Sequence, residues 1–166
     1  MADFKLASIW HQRTVVTQNL HYRAAMYFQK RNLLLGAPVI VLTAVVGTSV
    51  FAALKQQPEF IIQVAIGVLS ITATVLSSLQ TFLAYGDRAE KHRLAGARYG
   101  AVGRKLESML ASEIAPGEMK EVRESLDSLA LECPHLPDIL FRKEKEKEKT
   151  EASETKDRNQ QGEQPQ

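Results

Sequence analysis

The chain has 166 residues, 45% hydrophobic and 24% charged, with a formal net charge of +2 at neutral pH. A single cysteine, Cys133, excludes an internal disulfide and a cysteine-rich metal centre. The mean hydropathy of −0.18 conceals a partition, because Lys55 and Glu59 are the only charged residues between positions 33 and 85.

In chain order, residues 1–32 come first, as an N-terminal amphipathic or juxtamembrane helix. Ile9, Val16, Leu20, Ala24 and Tyr27 recur at spacings of seven, four, four and three, a helical stripe interrupted by Arg13 and Arg23 nearby. Residues 33–54 and 60–85 follow as two uncharged, largely apolar segments, joined by the external turn 55–59. At a rise of about 1.5 Å per residue they reach roughly 33 and 39 Å, each enough for a hydrocarbon core of about 30 Å. Both are expected to be transmembrane helices. A cleaved signal peptide fits poorly, since 32 residues precede the first segment and a second span follows at once. Core helices of a soluble bundle rarely stay free of charge for so long, because one face normally meets water.

Within the turn, Pro58 suits the first turn of the second helix and Glu59 the positive end of its dipole. Arg13, Arg23, Lys30 and Arg31 precede the first span; Arg88, Lys91, Arg93, Arg98, Arg104 and Lys105 follow the second. The turn has only Lys55. The positive-inside rule then predicts a multi-pass protein of the cell (inner) membrane with both termini cytoplasmic. Trp10, Tyr22, Tyr27, Phe28, Phe60, Phe82 and Tyr85 flank the spans, where aromatic rings favour the headgroup zone or pack.

Residues 86–141 form a cytoplasmic helical region. Ala95, Tyr99, Val102, Leu106 and Met109 repeat at four, three, four and three, a coiled-coil-like seam on a helix of about 87–112. Pro116 and Gly117 interrupt it. Val122, Leu126, Leu129 and Ala130 then mark a shorter helix ending near Glu132, before CPHLP at 133–137. Residues 142–166 alternate charge with no apolar residue larger than Ala152, a composition expected to give a disordered charged tail. The fold class is therefore an all-α membrane protein: a two-helix transmembrane hairpin flanked by amphipathic cytoplasmic helices, with a disordered charged C-terminal tail.

The second span carries a polar or small stripe of Gln63, Gly67, Ser70, Thr74, Ser77 and Thr81, spaced four, three, four, three and four. Such a stripe serves either close helix packing or a hydrated lumen between several copies. Thr43 and Gly47 of the first span, with Ala44, Thr48 and Ala52 on an adjacent row, offer a complementary small surface. Catalytic patterns are missing: HExxH, GxSxG and paired cysteines do not occur, and GARYGAVGRK at 96–105 lacks phosphate-loop spacing, reading instead as a small-residue helix surface. His11, His21, His92 and His135 are scattered without ligand spacing. The expectation is a protein that is no enzyme, with no cofactor, no metal and no nucleic-acid partner.

Trp10 and Arg13, then Asn32, Gly36 and Pro38, LQTFL at 79–83, AEKHRLAGARY at 89–99 and LALECPHLPDIL at 129–140 together resemble the SLATT family, the SMODS and SLOG-associating two-transmembrane effector domains. The resemblance covers about residues 5–141, and its specificity lies in the order and spacing of these motifs. It implies a membrane effector of prokaryotic conflict and antiviral defence systems that forms pores or breaches the bilayer when a nucleotide-generating or nucleotide-sensing cytoplasmic protein detects invasion. The implied partners are the lipid bilayer, further copies of the chain in a homo-oligomer, and that cytoplasmic protein. Carried onto this sequence, the resemblance implies that Glu90, His92, Arg93, Gly96 and Tyr99 couple the cytoplasmic helix to the hairpin. The bland alternative is that Arg93 anchors to lipid phosphate, Glu90 pairs with a neighbouring base and Tyr99 packs on the N-terminal helix. At the level of function the alternative is a non-conducting membrane anchor or scaffold that recruits a cytoplasmic partner.

Overall fold

A computed structural model describes residues 2–53, 59–138 and 142 as an all-α protein, with no strand among the described residues. Four helices follow in order: α1 (Ala2–Ala53), α2 (Phe60–Leu83), α3 (Tyr85–Ala111) and α4 (Glu118–Glu132). Lys55 to Pro58 of the expected turn and the tail beyond Arg142 lie outside the described residues. Composition changes at residue 33, yet the backbone does not: α1 continues through it and through Pro38. Proline there removes the hydrogen bond that an N–H would make to the Leu34 carbonyl and crowds that carbonyl with its ring, costs that a helix tolerates inside a membrane protein.

At the start of α2, Glu59 is extended and its carbonyl accepts from the N–H groups of Ile62 and Gln63 at 3.0 and 3.2 Å. Its side chain makes no cap hydrogen bond. The other end is sharper. Ala84 takes the left-handed conformation (φ 45°, ψ 42°), and its N–H donates to the Gln80 carbonyl at 3.2 Å. α3 begins at the next residue, so one alanine separates the two helices.

The chain divides into two compact units, one built from Ala25–Glu90 and the other from Met1–Ala24 with Lys91–Gln166. The first is the apolar hairpin. In its most apolar windows the two long helices have mean hydropathies of 2.2 and 2.1, with only 0% and 6% of those residues buried inside the chain. A soluble core helix would be mostly covered. Leu33, Leu34, Ile40, Ile61, Ile71 and Phe82 are all more than two-thirds exposed, which in water would be an aggregation surface and in a bilayer is the lipid face.

Burial in this unit falls on one face of each helix. On α2 it is Ile66, Leu69, Ala73, Leu76, Gln80 and Leu83; on α1 it is Asn32, Leu35, Gly36, Val39, Leu42 and Val46. Gly36 admits the Gln80 carboxamide, whose Nε2 would stand 3.0 Å from a Cβ at that position. At the ends of the apolar segments, Phe28 stacks on Tyr85 at 6.0 Å, Tyr27 meets Phe28 edge-on at 5.4 Å, and the Arg31 guanidinium lies 4.7 Å from the centre of the Tyr27 ring.

The second unit packs the start of α1, most of α3 and α4 around Ala7, Leu106, Met109 and Val122, with Trp10, Val102, Leu110, Ile114, Met119 and Leu126 against them. α1 and α3 run antiparallel here: Thr14 approaches Gly103, Gln18 approaches Gly100 and Tyr22 approaches Gly96. Within this unit the buried positions of α1 are Ala7, Thr14, Leu20, His21 and Ala24, so Leu20 and Ala24 of the expected stripe are buried while Ile9 and Val16 are not. Those two are 39% and 42% exposed. The cause is on α3, where Gly96, Gly100 and Gly103 permit close approach to the α1 face that carries Tyr22, Gln18 and Thr14. Arg98 bonds Glu132 at 2.9 Å and Lys105 bonds Glu121 at 2.8 Å, joining α3 to α4 through exposed groups. Before α4, Gly117 has φ +95°, a conformation that favours glycine, and the Ala115 N–H donates to the Glu118 carboxylate at 2.9 Å.

Candidate functional site

All six stripe residues, Gln63, Gly67, Ser70, Thr74, Ser77 and Thr81, are exposed on α2. They sit one position beyond the packed row of Ile66, Leu69, Ala73, Leu76 and Gln80, which is about 100° around the helix. Packing between the two spans therefore does not consume the stripe. Gly67 would meet nothing within 4 Å if it carried a Cβ. The hydroxyl of Thr74 donates to the Ser70 carbonyl at 2.9 Å and that of Thr81 to the Ser77 carbonyl at 3.1 Å. Each oxygen keeps lone pairs free for water while its proton is satisfied within the helix. On the first span, Thr43 and Thr48 bond back in the same way.

At the α3 end of the stripe, a polar cleft within the hairpin unit is lined by Asn32, Ser77, Gln80, Thr81, Gly86 and Asp87 and has a volume of about 440 Å³. Ser77 and Thr81 belong to both features. Sequence reasoning missed Asn32, Gln80 and Asp87 as site residues: Asn32 and Gln80 stand only within the motifs Asn32, Gly36, Pro38 and LQTFL of the family resemblance, and Asp87 belongs to no pattern.

Of the residues expected to couple the units, His92 and Gly96 are buried, Tyr99 is half-buried, and Glu90 and Arg93 are exposed. His92 and His21 are each 3% exposed, with their Nδ1 atoms 3.0 Å apart. The His21 ring also stacks on Tyr99 at 5.5 Å. Burial pushes the His21 imidazole down to about 4, with the neighbouring His92 adding to the effect, and burial lowers His92 too. Both rings are neutral at pH 7. Burial raises the Tyr99 phenol, with Cys133 contributing, and raises the Cys133 thiol despite the opposing Arg98 charge. A protonated thiol is a poor nucleophile. Gly96 accommodates the Tyr22 ring, whose carbons would stand 3.1 Å from a Cβ. This cluster packs and positions, and among the described residues no group of three His, Cys, Asp or Glu side chains could hold a metal ion. His21 had no sequence signal beyond its place one heptad after Thr14 and two after Ala7.

A hairpin of two lipid-facing apolar helices with a polar helical unit beside it in sequence defines a two-span membrane protein. Residues 8–136 match the family model described as SMODS and SLOG-associating 2TM effector domain family 4, and the chain belongs to that family. It is thus a membrane effector domain of conflict systems that works with SMODS and SLOG partners, and the family is not a known enzymatic one. No curated protein and no solved structure matches the chain.

Proposed function

We propose that several copies of the chain assemble in the cell membrane, with both termini cytoplasmic, so that the α2 stripes face a shared hydrated path and breach the membrane when a nucleotide-linked partner signals infection. The observation that carries this reading is the exposure of Gln63, Ser70, Thr74, Ser77 and Thr81 on the span, although the hairpin packs through the adjacent row. A single hairpin cannot enclose water, so a conducting path needs several copies. The coiled-coil-like seam between α1 and α3, with Glu90, His92, Arg93, Gly96 and Tyr99, would pass the partner's signal to the spans.

The second reading is a non-conducting anchor that recruits a cytoplasmic protein. It is favoured by the Thr74 and Thr81 hydroxyls, which are satisfied within α2 and need no lumen. Ion or dye leakage from vesicles reconstituted with the full chain, with and without the product of a neighbouring gene, separates the two. Leakage that is lost when Ser70, Thr74 and Ser77 are replaced together by Leu, while insertion persists, supports the pore. Vesicles that stay tight under both conditions, with a partner retained on residues 87–141, support the anchor.

A further inference from the structure

We infer that Asp87 makes this conducting path cation-selective, the cleft it shares with Asn32, Ser77, Gln80 and Thr81 acting as a wet mouth that holds a monovalent cation. The inference rests on the pore reading above.

The lining offers five side-chain groups with an oxygen that can face a cation, two carboxamides, two hydroxyls and one carboxylate; the amide N–H and hydroxyl groups serve either sign of ion, so the preference comes from the carboxylate. Hard cations prefer oxygen ligands, and a carboxylate among them repels an anion. Asp87 is the only charged residue of the lining. The nearest cations in sequence do not line it, and Arg31 is engaged by the Tyr27 ring and a hydrogen bond with Tyr85.

The cleft also calls for water. Asn32 and Gln80 are half-buried, and their carboxamides make no side-chain hydrogen bond to any described residue. Close to a bilayer such groups are costly unless water or an ion satisfies them. Because Ser77 and Thr81 belong both to the cleft and to the stripe, a hydrated cleft opens directly onto the α2 face proposed to line the path.

Asp87 has a simpler use, since it lies in the first turn of α3, where a carboxylate complements the helix dipole. That role needs neither the amides nor the cavity. The dipole contributes roughly +0.5 of a charge against the full −1 of the carboxylate, so the lining of the cleft itself stays net negative. Repeated once per copy, Asp87 becomes a ring of carboxylates, the arrangement that selects cations in channels.

The test is planar-bilayer recording of the full-length protein across a KCl gradient. Wild type should reverse close to the potassium equilibrium potential. Asp87→Asn should lower the potassium-to-chloride permeability ratio by about threefold or more, Asp87→Lys should invert the preference, and Asp87→Glu should retain it. A conducting wild type that prefers chloride, or variants that conduct with unchanged reversal potentials, overturns the assignment of Asp87 and leaves the pore standing. Absence of any wild-type current with its partner present overturns the pore reading and this inference together.

Discussion

His21 and His92 lie 71 positions apart in the chain and meet with their Nδ1 atoms at 3.0 Å, both rings almost fully buried. At that distance one Nδ1 donates its proton and the other accepts, so the pair can be neutral or carry one extra proton, but two imidazolium rings cannot bond in this way. The pocket around them is aromatic, with Tyr99 stacked on His21.

Acid should therefore loosen this unit. His21 is lowered from 6.5 to about 4, so between those values the unfolded chain binds a proton that the folded chain does not. The stability supplied by the neutral pair is complete above pH 6.5 and is lost as pH falls towards 4; the loss should reach about 1–3 kcal/mol. Thermal melts in detergent from pH 7.5 to 4.5 should show the midpoint falling, and His21→Phe with His92→Phe should flatten the slope. An unchanged slope in the double variant would place the titrating group elsewhere.

How far could the sequence anticipate this? The two spans stand out because 22 and 26 consecutive residues lack charge, and the seam of α3 because Ala95, Tyr99, Val102, Leu106 and Met109 keep a strict rhythm. On α1 the rhythm holds in part: Leu20 and Ala24 are buried as expected, whereas Ile9 and Val16 are not, and the face chosen by closeness adds Ala7, Thr14 and His21. Pairings such as His21 with His92, or Asn32 with Gly86, depend on the antiparallel register between distant segments, which no local pattern encodes. The stripe of α2 was legible as a stripe, but which row of that helix packs on α1 depends on where Gly36 admits Gln80.

Leu106 and Arg98 should separate burial from surface charge on the same helix. Leu106 is fully buried among Ala7, Met109 and Val122. Leu106→Ala should cost about 2–5 kcal/mol. Arg98 pairs with Glu132 across a half-exposed gap, and Arg98→Ala should change stability by about 1 kcal/mol or less. Denaturant titration of both variants in one detergent would check the ranking, and equal losses would refute it.

Gly96 and Gly100 should respond differently to enlargement. A Cβ at Gly96 would stand 3.1 Å from two carbons of the Tyr22 ring, while one at Gly100 would meet the end of the flexible Gln18 side chain at 2.9 Å. Gln18 can swing aside; the ring cannot move without dragging its neighbours. Gly96→Val should therefore destabilise the unit by about 1–3 kcal/mol, whereas Gly100→Ala should be neutral or gain from the better helix propensity of alanine, about 1 kcal/mol at most. Melting temperatures of the two variants against wild type decide the matter.

Ala84 holds the junction between α2 and α3 in a left-handed conformation that an L-residue with a Cβ adopts at a cost of about 1–2 kcal/mol. Its N–H still bonds the Gln80 carbonyl, and its own carbonyl accepts from the Arg88 N–H at 3.1 Å, so the turn is fixed by backbone hydrogen bonds on both sides. Glycine removes the Cβ penalty and leaves those bonds intact. Ala84→Gly should raise the melting temperature in detergent, with a gain of about 1 kcal/mol after the extra unfolded-state freedom of glycine is subtracted. Ala84→Val places a branched side chain in the same conformation and should lower it by more than glycine raises it. If glycine destabilises and valine does not, the two helices are continuous at this point and the left-handed turn is absent.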